Sequence, residues 1–418
     1  MNSTPQSLRL QIGLFGRVNA GKSSLLNYLT GQDAALASPV PGTTTDVVEQ
    51  AMELLPLGPV LFLDTAGMDD GSRLGPERAQ RTLAALKRSD VVVVVTEGGV
   101  WGPAEQGLAA EAKGRKAALV VVVAKSDLAA PEAAFLELLR NETKAVLSCN
   151  TQDPSGRDAF LDRFKAAVGA VLPAPSGPPL LGDLVPAGGL VVMVVPIDLQ
   201  APKGRLILPQ VQSIRDCLDN DASVLVVKER ELAPALANLK RPPDLVVCDS
   251  QVVLKAAADT QDGVRLTTFS ILFSRFKGDL VSMARGAGAI HRLKAGDRVL
   301  VAEACTHHAL EDDIGRVKIP RWLRRFTGLD LDITHVSHHD YPADLGAYRL
   351  VIHCGACMLN RQEMLSRLDL AQVEGVAITN YGIAISVLQG VAARALGPFP
   401  AALQAYQASL TPSPGVLS

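Results

Sequence analysis

The fold of the first third of this 418-residue chain is decided by the sequence Gly16-Arg17-Val18-Asn19-Ala20-Gly21-Lys22-Ser23. This stretch has the spacing G-x-x-x-x-G-K-S, and it lies between an apolar, strand-like segment and residues with helical spacing. The glycines allow backbone N–H groups to turn inward around phosphate oxygens, and the helix N-terminus adds its dipole. We expect Lys22 to reach the β- and γ-phosphates of a nucleotide and the Ser23 hydroxyl to bind Mg²⁺.

Two further segments have the composition of loops that close over a nucleoside triphosphate. The first is rich in turn residues and contains Thr44, which can cover Mg²⁺ and the γ-phosphate. The second follows a buried strand, where Asp64 can hold the Mg²⁺ shell and the Gly67 N–H can contact the γ-phosphate. We therefore predict that Lys22, Thr44 and Gly67 act in hydrolysis of the phosphate bond.

Residues that recognise the base are predicted at two other strand ends. In Ala124-Lys125-Ser126-Asp127, the Asp127 carboxylate can accept from the N1–H and N2 donors of guanine, and the Lys125 stem can stack on the base. A backbone N–H at Ser148 or Cys149 can meet guanine O6. The expected nucleotide is therefore GTP or GDP. The predicted contacts are Asn19, Ala20, Gly21, Lys22, Ser23, Ser24, Thr44, Asp64, Gly67, Lys125, Asp127, Ser148 and Cys149.

The order of these five motifs resembles the GTPase superfamily, and in detail the branch of tRNA-modification and ribosome-assembly GTPases. Asn19 occupies the position that accompanies potassium-stimulated hydrolysis in that branch. Met68 stands where signalling GTPases place a water-orienting Gln, so the resemblance implies K⁺ held by Asn19 and the loop before Thr44. Ala124 departs from the pattern Asn-Lys-x-Asp. Guanine preference should survive through Asp127 with weaker affinity, the alternative being relaxed base choice.

Composition limits the class of protein. The chain is 48% hydrophobic and 4% aromatic, which favours packed α/β layers over disorder. A net charge of -2 gives no electrostatic reason to expect nucleic acid or a membrane surface as partner. The first residues lack a signal-peptide pattern, and the apolar runs are too short to cross a bilayer, so we expect a cytoplasmic protein.

Four segments can be distinguished along the chain. Residues 1–172 are the predicted GTP-binding domain, and the Pro-rich residues 173–183 are a linker. Strand-like and helix-like segments alternate in 184–263 and again in 264–418, so we predict an α/β protein: a P-loop GTPase domain followed by two smaller α/β domains. The apolar strand at 190–195 is either an edge that pairs with a second copy or an internal strand.

Three of the six cysteines form a candidate metal site. Cys305 and Cys354 each follow an apolar strand-like segment, and strand ends converge in an open α/β sheet. Only Gly355 and Ala356 separate Cys354 from Cys357. Gly355 is expected to permit the tight turn between the two thiols. The residues allow either a Cys₃His zinc site or a three-thiolate [4Fe–4S] cluster. Candidates for the fourth ligand are His307, His353 and the group His335, His338 and His339.

The arrangement Cys305-x-His307 followed by His353-Cys354-x-x-Cys357, behind a GTPase and a middle domain, resembles the HydF family of [FeFe]-hydrogenase maturation GTPases. The resemblance covers essentially the whole chain, including residues 201–206 and 303–308. It implies a GTPase domain, a middle dimerisation domain that gives a homodimer, and a cluster-binding domain. Cys305, Cys354 and Cys357 would be the ligands of the [4Fe–4S] cluster, with His307 or His353 in the open fourth place.

The same resemblance implies a scaffold and carrier. The protein would receive a diiron cargo from two radical-SAM hydrogenase maturases and deliver the subcluster to apo-[FeFe]-hydrogenase. Residues 316–325 are strongly basic; they are either the solvated face of an amphipathic helix or a rim that attracts anionic cargo.

Two other functions fit parts of the sequence. One is an RNA- or ribosome-associated, K⁺-dependent GTPase with a C-terminal zinc module, which the GTPase branch supports and the net charge disfavours. The other is a redox or radical enzyme, which the missing C-x₃-C-x₂-C spacing disfavours.

Overall fold

The structure is a computed structural model. In it the chain folds into two compact units, Met1–Ser176 and Gly177–Ser418. It describes residues 4–31, 47–68, 75–173, 177–197, 204, 206–304, 313–337, 341–342 and 344–411. Thr44, Cys305, His307, His338 and His339 lie outside these ranges. Among the residues described, no helix is both long and apolar enough to cross a membrane.

The first unit alternates strands and helices. Its elements are β1 (Leu10–Phe15), α1 (Lys22–Thr30), β2 (Val48–Leu54), β3 (Gly58–Asp64), α2 (Gly75–Arg88), β4 (Val91–Glu97), α3 (Pro103–Gly114), β5 (Ala118–Ala124), α4 (Ala133–Arg140), β6 (Ala145–Ser148) and α5 (Arg157–Val171). The strands form one sheet in the order β2-β3-β1-β4-β5-β6, parallel throughout except for β2. This is the α/β arrangement that the sequence predicts.

The central strands of this sheet are apolar on both faces because helices cover both faces. In β4, Val91, Val93 and Val95 pack into one hydrophobic core, while Val92 and Val94 pack into the other. This alternation follows from the two-residue period of a strand. The uninterrupted valine run is therefore the signature of a sheet with two buried faces.

The second unit continues the same alternation. Its elements are β7 (Leu190–Val194), α6 (Leu208–Asp219), β8 (Ser223–Val227), α7 (Leu232–Ala237), β9 (Leu245–Cys248), α8 (Val253–Asp259), β10 (Leu266–Thr268), α9 (Phe269–Lys277), α10 (Leu280–Ala287), β11 (Arg298–Glu303), α11 (Ile319–Thr327), β12 (Asp332–Ser337), β13 (Leu350–His353), α12 (Arg361–Val373), β14 (Ala377–Asn380), α13 (Tyr381–Leu388), α14 (Ala392–Leu396) and α15 (Pro400–Leu410).

These strands form two parallel four-stranded sheets, β10-β9-β7-β8 and β12-β11-β13-β14. The predicted fold class, a P-loop domain followed by two smaller α/β sheets, is confirmed. Strand β7 pairs on both sides, so the apolar strand at residues 190–195 is internal, and the outer strands of its sheet are β10 and β8.

The two sheets of the second unit share one hydrophobic core, which runs from residues of β7 to residues of α15. Strand β10 belongs to the first of these sheets although it lies beyond residue 263. The domain boundaries at 172, 183 and 263 stay predictions, and the observed sheets place the segment around 266–268 with the middle region.

Helix α9 is the element that connects the two sheets of this unit. It begins directly after β10, and the Thr268 hydroxyl caps it by accepting a hydrogen bond from the Ile271 N–H at 3.2 Å. Its last residue is Lys277, and the loop that follows β13 packs against its polar side chains. A helix that belongs to the middle sheet therefore lines the loop that carries Cys354 and Cys357.

Candidate functional site

The loop between β1 and α1 has the backbone conformation of a phosphate cradle. Gly16 has φ 150°, Asn19 has φ 61° and Gly21 has φ 99°, which are all in the range that favours glycine. A Cβ atom on Gly16 would lie 2.2 Å from the Val95 carbonyl oxygen, so only glycine fits there. The two glycines of the motif are required by this geometry.

The Lys22 ammonium lies inside the same loop. The side chain is 7% exposed, and Nζ donates to the carbonyl oxygens of Arg17 at 2.7 Å and Gly16 at 3.3 Å. The positive charge is thereby held within the cradle. This position is compatible with the predicted contact between Lys22 and the β- and γ-phosphates.

Ser23 and Asp64 form a pair that fits Mg²⁺. The Ser23 hydroxyl donates to Asp64 Oδ2 at 2.5 Å, and the Asp64 side chain is completely buried. Burial raises the pKa of the Asp64 carboxyl, an effect that the Ser23 hydrogen bond and the Lys22 charge oppose. Asp64 Oδ1 is buried and accepts no hydrogen bond from the described residues. A buried carboxylate oxygen without a hydrogen-bond donor, next to a serine hydroxyl, belongs to the oxygen ligands that Mg²⁺ prefers.

The segment after β3 packs closely on the phosphate loop. A Cβ atom on Gly67 would lie 2.4 Å from the Val18 backbone nitrogen, and the Met68 N–H donates to the Gly16 carbonyl at 3.2 Å. Glycine at position 67 therefore allows this backbone to approach the loop. The role of the Gly67 N–H at the γ-phosphate stays a prediction.

The predicted base-binding loops are tied together by backbone hydrogen bonds. The Ser126 N–H donates to the Cys149 carbonyl at 3.2 Å, and the Cys149 N–H donates to the Val123 carbonyl at 2.8 Å. The Cys149 N–H is therefore used inside the sheet, which does not support its predicted contact with guanine O6. Lys125 has φ 55°, and its Nζ pairs with Glu97 at 2.5 Å.

Ala124 lies next to the phosphate loop. A Cβ atom on Gly21 would be 3.3 Å from the Ala124 Cβ, so this position, where the family pattern has Asn, adjoins the phosphate loop. An amide at this position would adjoin the backbone of the cradle, whereas the methyl group of alanine forms no hydrogen bond there.

Sequence reasoning missed the ion pair between Arg17 and Glu105. Arg17 Nε lies 2.7 Å from Glu105 Oε1, and the Gly102 N–H donates to Oε2 at 2.9 Å. Glu105 is 1% exposed; burial acts to raise its pKa, but the Arg17 and Gly102 hydrogen bonds outweigh burial and lower it. The pair ties Arg17, the residue after Gly16, to the start of α3, and the large sequence separation gave no local signal for it.

The loop between β13 and α12, residues 354–360, carries two of the three predicted cluster ligands, and we call it the thiol loop. The Cys354 N–H donates to the Ala302 carbonyl at 2.8 Å, and the Ala304 N–H donates to Cys354 Sγ at 3.1 Å. Cys354 sulfur therefore lies beside the backbone that leads directly into Cys305. The convergence of Cys354 with Cys305 stays a prediction, because Cys305 lies outside the described residues.

The turn between the two thiols differs from the prediction. Ala356 takes the left-handed conformation with φ 55°, and Gly355 does not have a positive φ. A Cβ atom on Gly355 would meet Ser270 Oγ at an ordinary 3.5 Å. The prediction that Gly355 supplies the conformational freedom of this turn is therefore wrong, because the strained residue is its neighbour.

His353 is completely buried, and both of its ring nitrogens have partners. Arg367 Nη1 lies 3.0 Å from Nε2, and because a guanidinium can only donate, Nε2 must accept. The proton is then on Nδ1, which donates to the Cys354 carbonyl at 2.9 Å. Burial, together with the Arg367 charge, lowers the pKa of His353 to about 3. These contacts disfavour His353 as the fourth cluster ligand, which stays an untested prediction.

Arg367 is the centre of a small network beneath the thiol loop. It pairs with Glu363 at 2.8 Å, and its guanidinium lies 4.8 Å from the centroid of the Tyr341 ring. His353 therefore orients the Cys354 backbone through a neutral imidazole held by a buried arginine. The pair of Glu363 and Arg367 has the i, i+4 spacing of one helix, whereas the contacts of Arg367 with His353 and Tyr341 join separate elements and have no local signal in the sequence.

The last group at this site comes from α9. Lys277 donates from Nζ to the Leu359 carbonyl at 2.8 Å, and Ser270 faces Gly355.

His335, on β12, has Nε2 3.0 Å from the Gly315 carbonyl oxygen. Within the part of the chain that the structure describes, no three His, Cys, Asp or Glu side chains are grouped to hold a metal. The predicted third thiol, Cys305, lies outside that part.

Fold and site together define a P-loop GTPase joined to a two-sheet α/β unit with a thiol loop. Residues 11–144 match the family model described as 50S ribosome-binding GTPase. Residues 180–278 match the hydrogen maturase F dimerization domain, and residues 281–398 match the hydrogen maturase F tetramerization domain. The two hydrogen maturase F domains together cover more than half of the chain, and the chain belongs to this family, HydF.

Two curated relatives are similar to this chain over less than a third of its length. The tRNA modification GTPase MnmE of Synechococcus sp. (strain JA-2-3B'a(2-13)) is 41% identical over 128 residues, which are 29% of this chain and 27% of that protein. GTPase Der of Kosmotoga olearia is 35% identical over 125 residues, 28% of each chain. The matched region spans little more than a quarter of the length of these relatives.

Among solved structures, Era in complex with MgGDPNP and a segment of 16S ribosomal RNA is similar with a TM-score of 0.34 and 19% identity. The similarity covers 52% of this chain and 93% of that chain. A TM-score at this level supports no statement about the function of this chain.

Proposed function

We propose that this chain is a GTP-hydrolysing scaffold that binds a [4Fe–4S] cluster and assembles or delivers the diiron subcluster of [FeFe]-hydrogenase. The observation that carries the proposal is the 3.1 Å hydrogen bond from the Ala304 N–H to Cys354 Sγ, in a chain whose family is hydrogen maturase F. The hydrogen bond places a thiol next to the strand end that precedes Cys305. The ends of β11 and β13, which are distant in sequence, thereby lie at one edge of a sheet, and each precedes a proposed ligand.

The cluster ligands in this proposal are Cys305, Cys354 and Cys357, whose thiolates suit iron–sulfur chemistry. A cluster held by three thiolates keeps one iron with an exchangeable ligand, which suits a protein that passes its cargo on. The fourth position belongs to His307 in preference to His353, because the described contacts of His353 already use both ring nitrogens.

The GTPase reaction in this proposal converts GTP and water to GDP and phosphate. Ser23 and Asp64 would hold Mg²⁺ together with Thr44, while Lys22 and the Gly67 N–H stabilise charge on the transferred phosphoryl group. Met68 is hydrophobic and cannot orient the attacking water, and K⁺ held at Asn19 would supply positive charge near the phosphates. Support for these roles comes from the cradle geometry and the buried Ser23–Asp64 pair.

The partners in this proposal are two radical-SAM hydrogenase maturases and apo-[FeFe]-hydrogenase, in the cytoplasm. Self-association through the middle domain is supported by the match to a dimerization domain. Nucleic acid and membranes are not proposed as partners, since the formal net charge is only -2.

The experiment is anaerobic reconstitution of the full chain with iron and sulfide, followed by metal analysis and EPR of the reduced protein. We expect about four iron atoms per chain, since the cluster is [4Fe–4S], and a reduced-cluster signal. Cys217→Ala is the matched control, because it removes a buried thiol in α6, away from the thiol loop. Stoichiometric zinc without a cluster signal would overturn the proposal.

That zinc result would favour the second candidate, an RNA- or ribosome-associated GTPase with a C-terminal zinc module. The observation in its favour is the similarity of residues 11–144 to ribosome-binding and tRNA-modification GTPases. The hydrogen maturase F domains in the remainder of the chain argue for the first candidate.

A further inference from the structure

We propose that Lys277 is a positioning residue of the thiol site, whose buried ammonium fixes the thiol loop and stabilises the negative charge of the bound cluster. This inference rests on the cluster-binding function proposed above. It assigns a role in that function to a residue of α9, a helix that lies in the matched dimerization domain and not in the domain that carries the cysteines.

The position of the ammonium is fixed by a hydrogen bond. Lys277 is 2% exposed, and its Nζ donates to the Leu359 carbonyl at 2.8 Å. Leu359 closes the turn that contains Cys357, because the Leu359 N–H donates to the Ala356 carbonyl at 3.1 Å. One end of the two-thiol turn is therefore held by the ammonium group of a residue in α9.

Lys277 is hydrogen-bonded to the thiol loop at the carbonyl of Leu359, two residues beyond Cys357. A positive charge held at this place favours a thiolate bound to iron, because opposite charges attract. The same sign applies to the whole cluster, since an iron–sulfur core with three thiolates is negatively charged when oxidised and more so when reduced.

An ammonium in this place can act through its charge or through its hydrogen bond alone. A purely structural role, holding the Leu359 carbonyl at the end of α9, needs a donor but no net charge. The distinction between donor and charge can be tested directly.

Three substitutions separate these roles. Lys277→Arg keeps the charge and a donor, Lys277→Gln keeps a donor without the charge, and Lys277→Met removes both. We expect Lys277→Met and Lys277→Gln to lower the reduction potential of the cluster. At a fixed potential, the ratio of reduced to oxidised cluster should fall about tenfold, equivalent to ~59 mV for a one-electron couple. Lys277→Arg should stay close to the wild-type potential.

The measurement is an EPR-monitored redox titration of the full-length, reconstituted protein, with iron content determined on the same samples. Lys294→Met is the matched control, because it removes an exposed lysine from the same unit and should leave the potential unchanged. The GTPase rate, which depends on the first unit, shows whether each variant is correctly folded there.

The outcomes are distinguishable. A lower potential in the Met and Gln variants, with Arg close to wild type, supports the inference. Wild-type potential and iron content in both neutral variants would overturn it and leave the proposed function standing. Loss of iron in the Met variant together with a wild-type potential in the Gln variant would show a hydrogen-bond role only, which also overturns the charge role. If wild-type protein forms no cluster, the proposed function itself is wrong.

Discussion

The phosphate loop and the thiol loop have the same place in their sheets and different ways of being built. Each follows a parallel strand and precedes a helix, β1 and α1 in one case and β13 and α12 in the other. The phosphate loop is made from backbone N–H groups and glycines within eight consecutive residues. The thiol loop depends on side chains of α9 and α12 and on the backbone that follows β11. A shared topological position therefore does not imply a shared method of construction.

The two loops also share a buried lysine that donates to loop carbonyls. Lys22 donates to the Gly16 and Arg17 carbonyls, and Lys277 donates to the Leu359 carbonyl. Lys22 is supplied by the motif itself, whereas Lys277 comes from a distant helix. The comparison teaches that a local motif can carry its own cation, while a site assembled from several segments must obtain it from elsewhere.

The largest effect is expected from a change that separates the two loops functionally. Lys22→Ala should lower the GTP hydrolysis rate by about 10²–10³-fold, because it removes the positive charge that stabilises the negative charge developing on the phosphate. Iron content after reconstitution should not change, since Lys22 lies in the other compact unit. Single-turnover GTP hydrolysis and iron analysis on one sample measure both. Loss of iron in this variant would break the comparison, because the two loops would not be independent.

The reciprocal change is Cys354→Ala. We expect cluster occupancy to fall by about tenfold or more, since even residues that only support metal ligands cost 10–100-fold in affinity. The GTPase rate should remain at the wild-type value. The reduced-cluster EPR intensity per chain is the readout, with Cys217→Ala as the control thiol. Full cluster occupancy in Cys354→Ala would remove the thiol loop from the site.

A smaller effect is expected where the phosphate loop is held by a long-range contact. Arg17→Met should destabilise the first unit by about 1–3 kcal/mol at pH 7, because it leaves the buried Glu105 carboxylate without its charged partner. Urea unfolding followed by Trp101 fluorescence, in a Trp322→Phe background, reports on this unit alone. Arg140→Met is the control, since its ion pair with Glu137 is exposed and is expected to contribute less than about 1 kcal/mol.

The same contact gives a pH dependence with a definite sign. The folded-state pKa of Glu105 is lowered below its ordinary 4.5, so the pair stabilises the protein above that pH. Its contribution is lost as the pH falls below 4.5 through the lower folded-state pKa. The difference between wild type and Arg17→Met should therefore shrink in acid. A difference that grows on acidification would contradict the role of this pair.

The smallest effect concerns the choice of cation. We expect faster GTP hydrolysis in K⁺ than in Na⁺ for the wild type, and Asn19→Ala should bring the ratio of the two rates to one. Rates measured in matched chloride salts test this prediction. Equal rates in the two salts for the wild type would exclude a K⁺ site at Asn19 and would leave the rest of the phosphate loop unaffected.

The fold class was predictable because the strands are long apolar runs and the helices between them have clear periodicity. The helical spacing of residues 208–218 predicts a helix there, and the structure has one at Leu208–Asp219. The spacing of residues 383–395 likewise predicts a single helix, but the structure has two, because Gly390 takes a left-handed conformation with φ 75° between them. Residue type indicated where strands and helices occur, and a single backbone angle decided where one of them ended.

The thiol site was predictable only in part. The cysteines are visible in the sequence, whereas Lys277, Ser270 and Arg367 act through contacts across many residues and show no local pattern. His353 was a candidate ligand because it lies next to Cys354, and its partners on α12 could not be inferred from spacing. Adjacency in sequence indicated proximity to the site, and the hydrogen bonds determined what the imidazole does there.

The shared hydrophobic core of the second unit restricts how such a protein can exchange parts by recombination. A crossover between residues 278 and 281, where the two family domains meet, would separate α9 from the thiol loop that it supports. The recipient would inherit the cysteines without Ser270 and Lys277 and with one side of the core missing. The smallest heritable module that carries the thiol site is therefore the whole second unit.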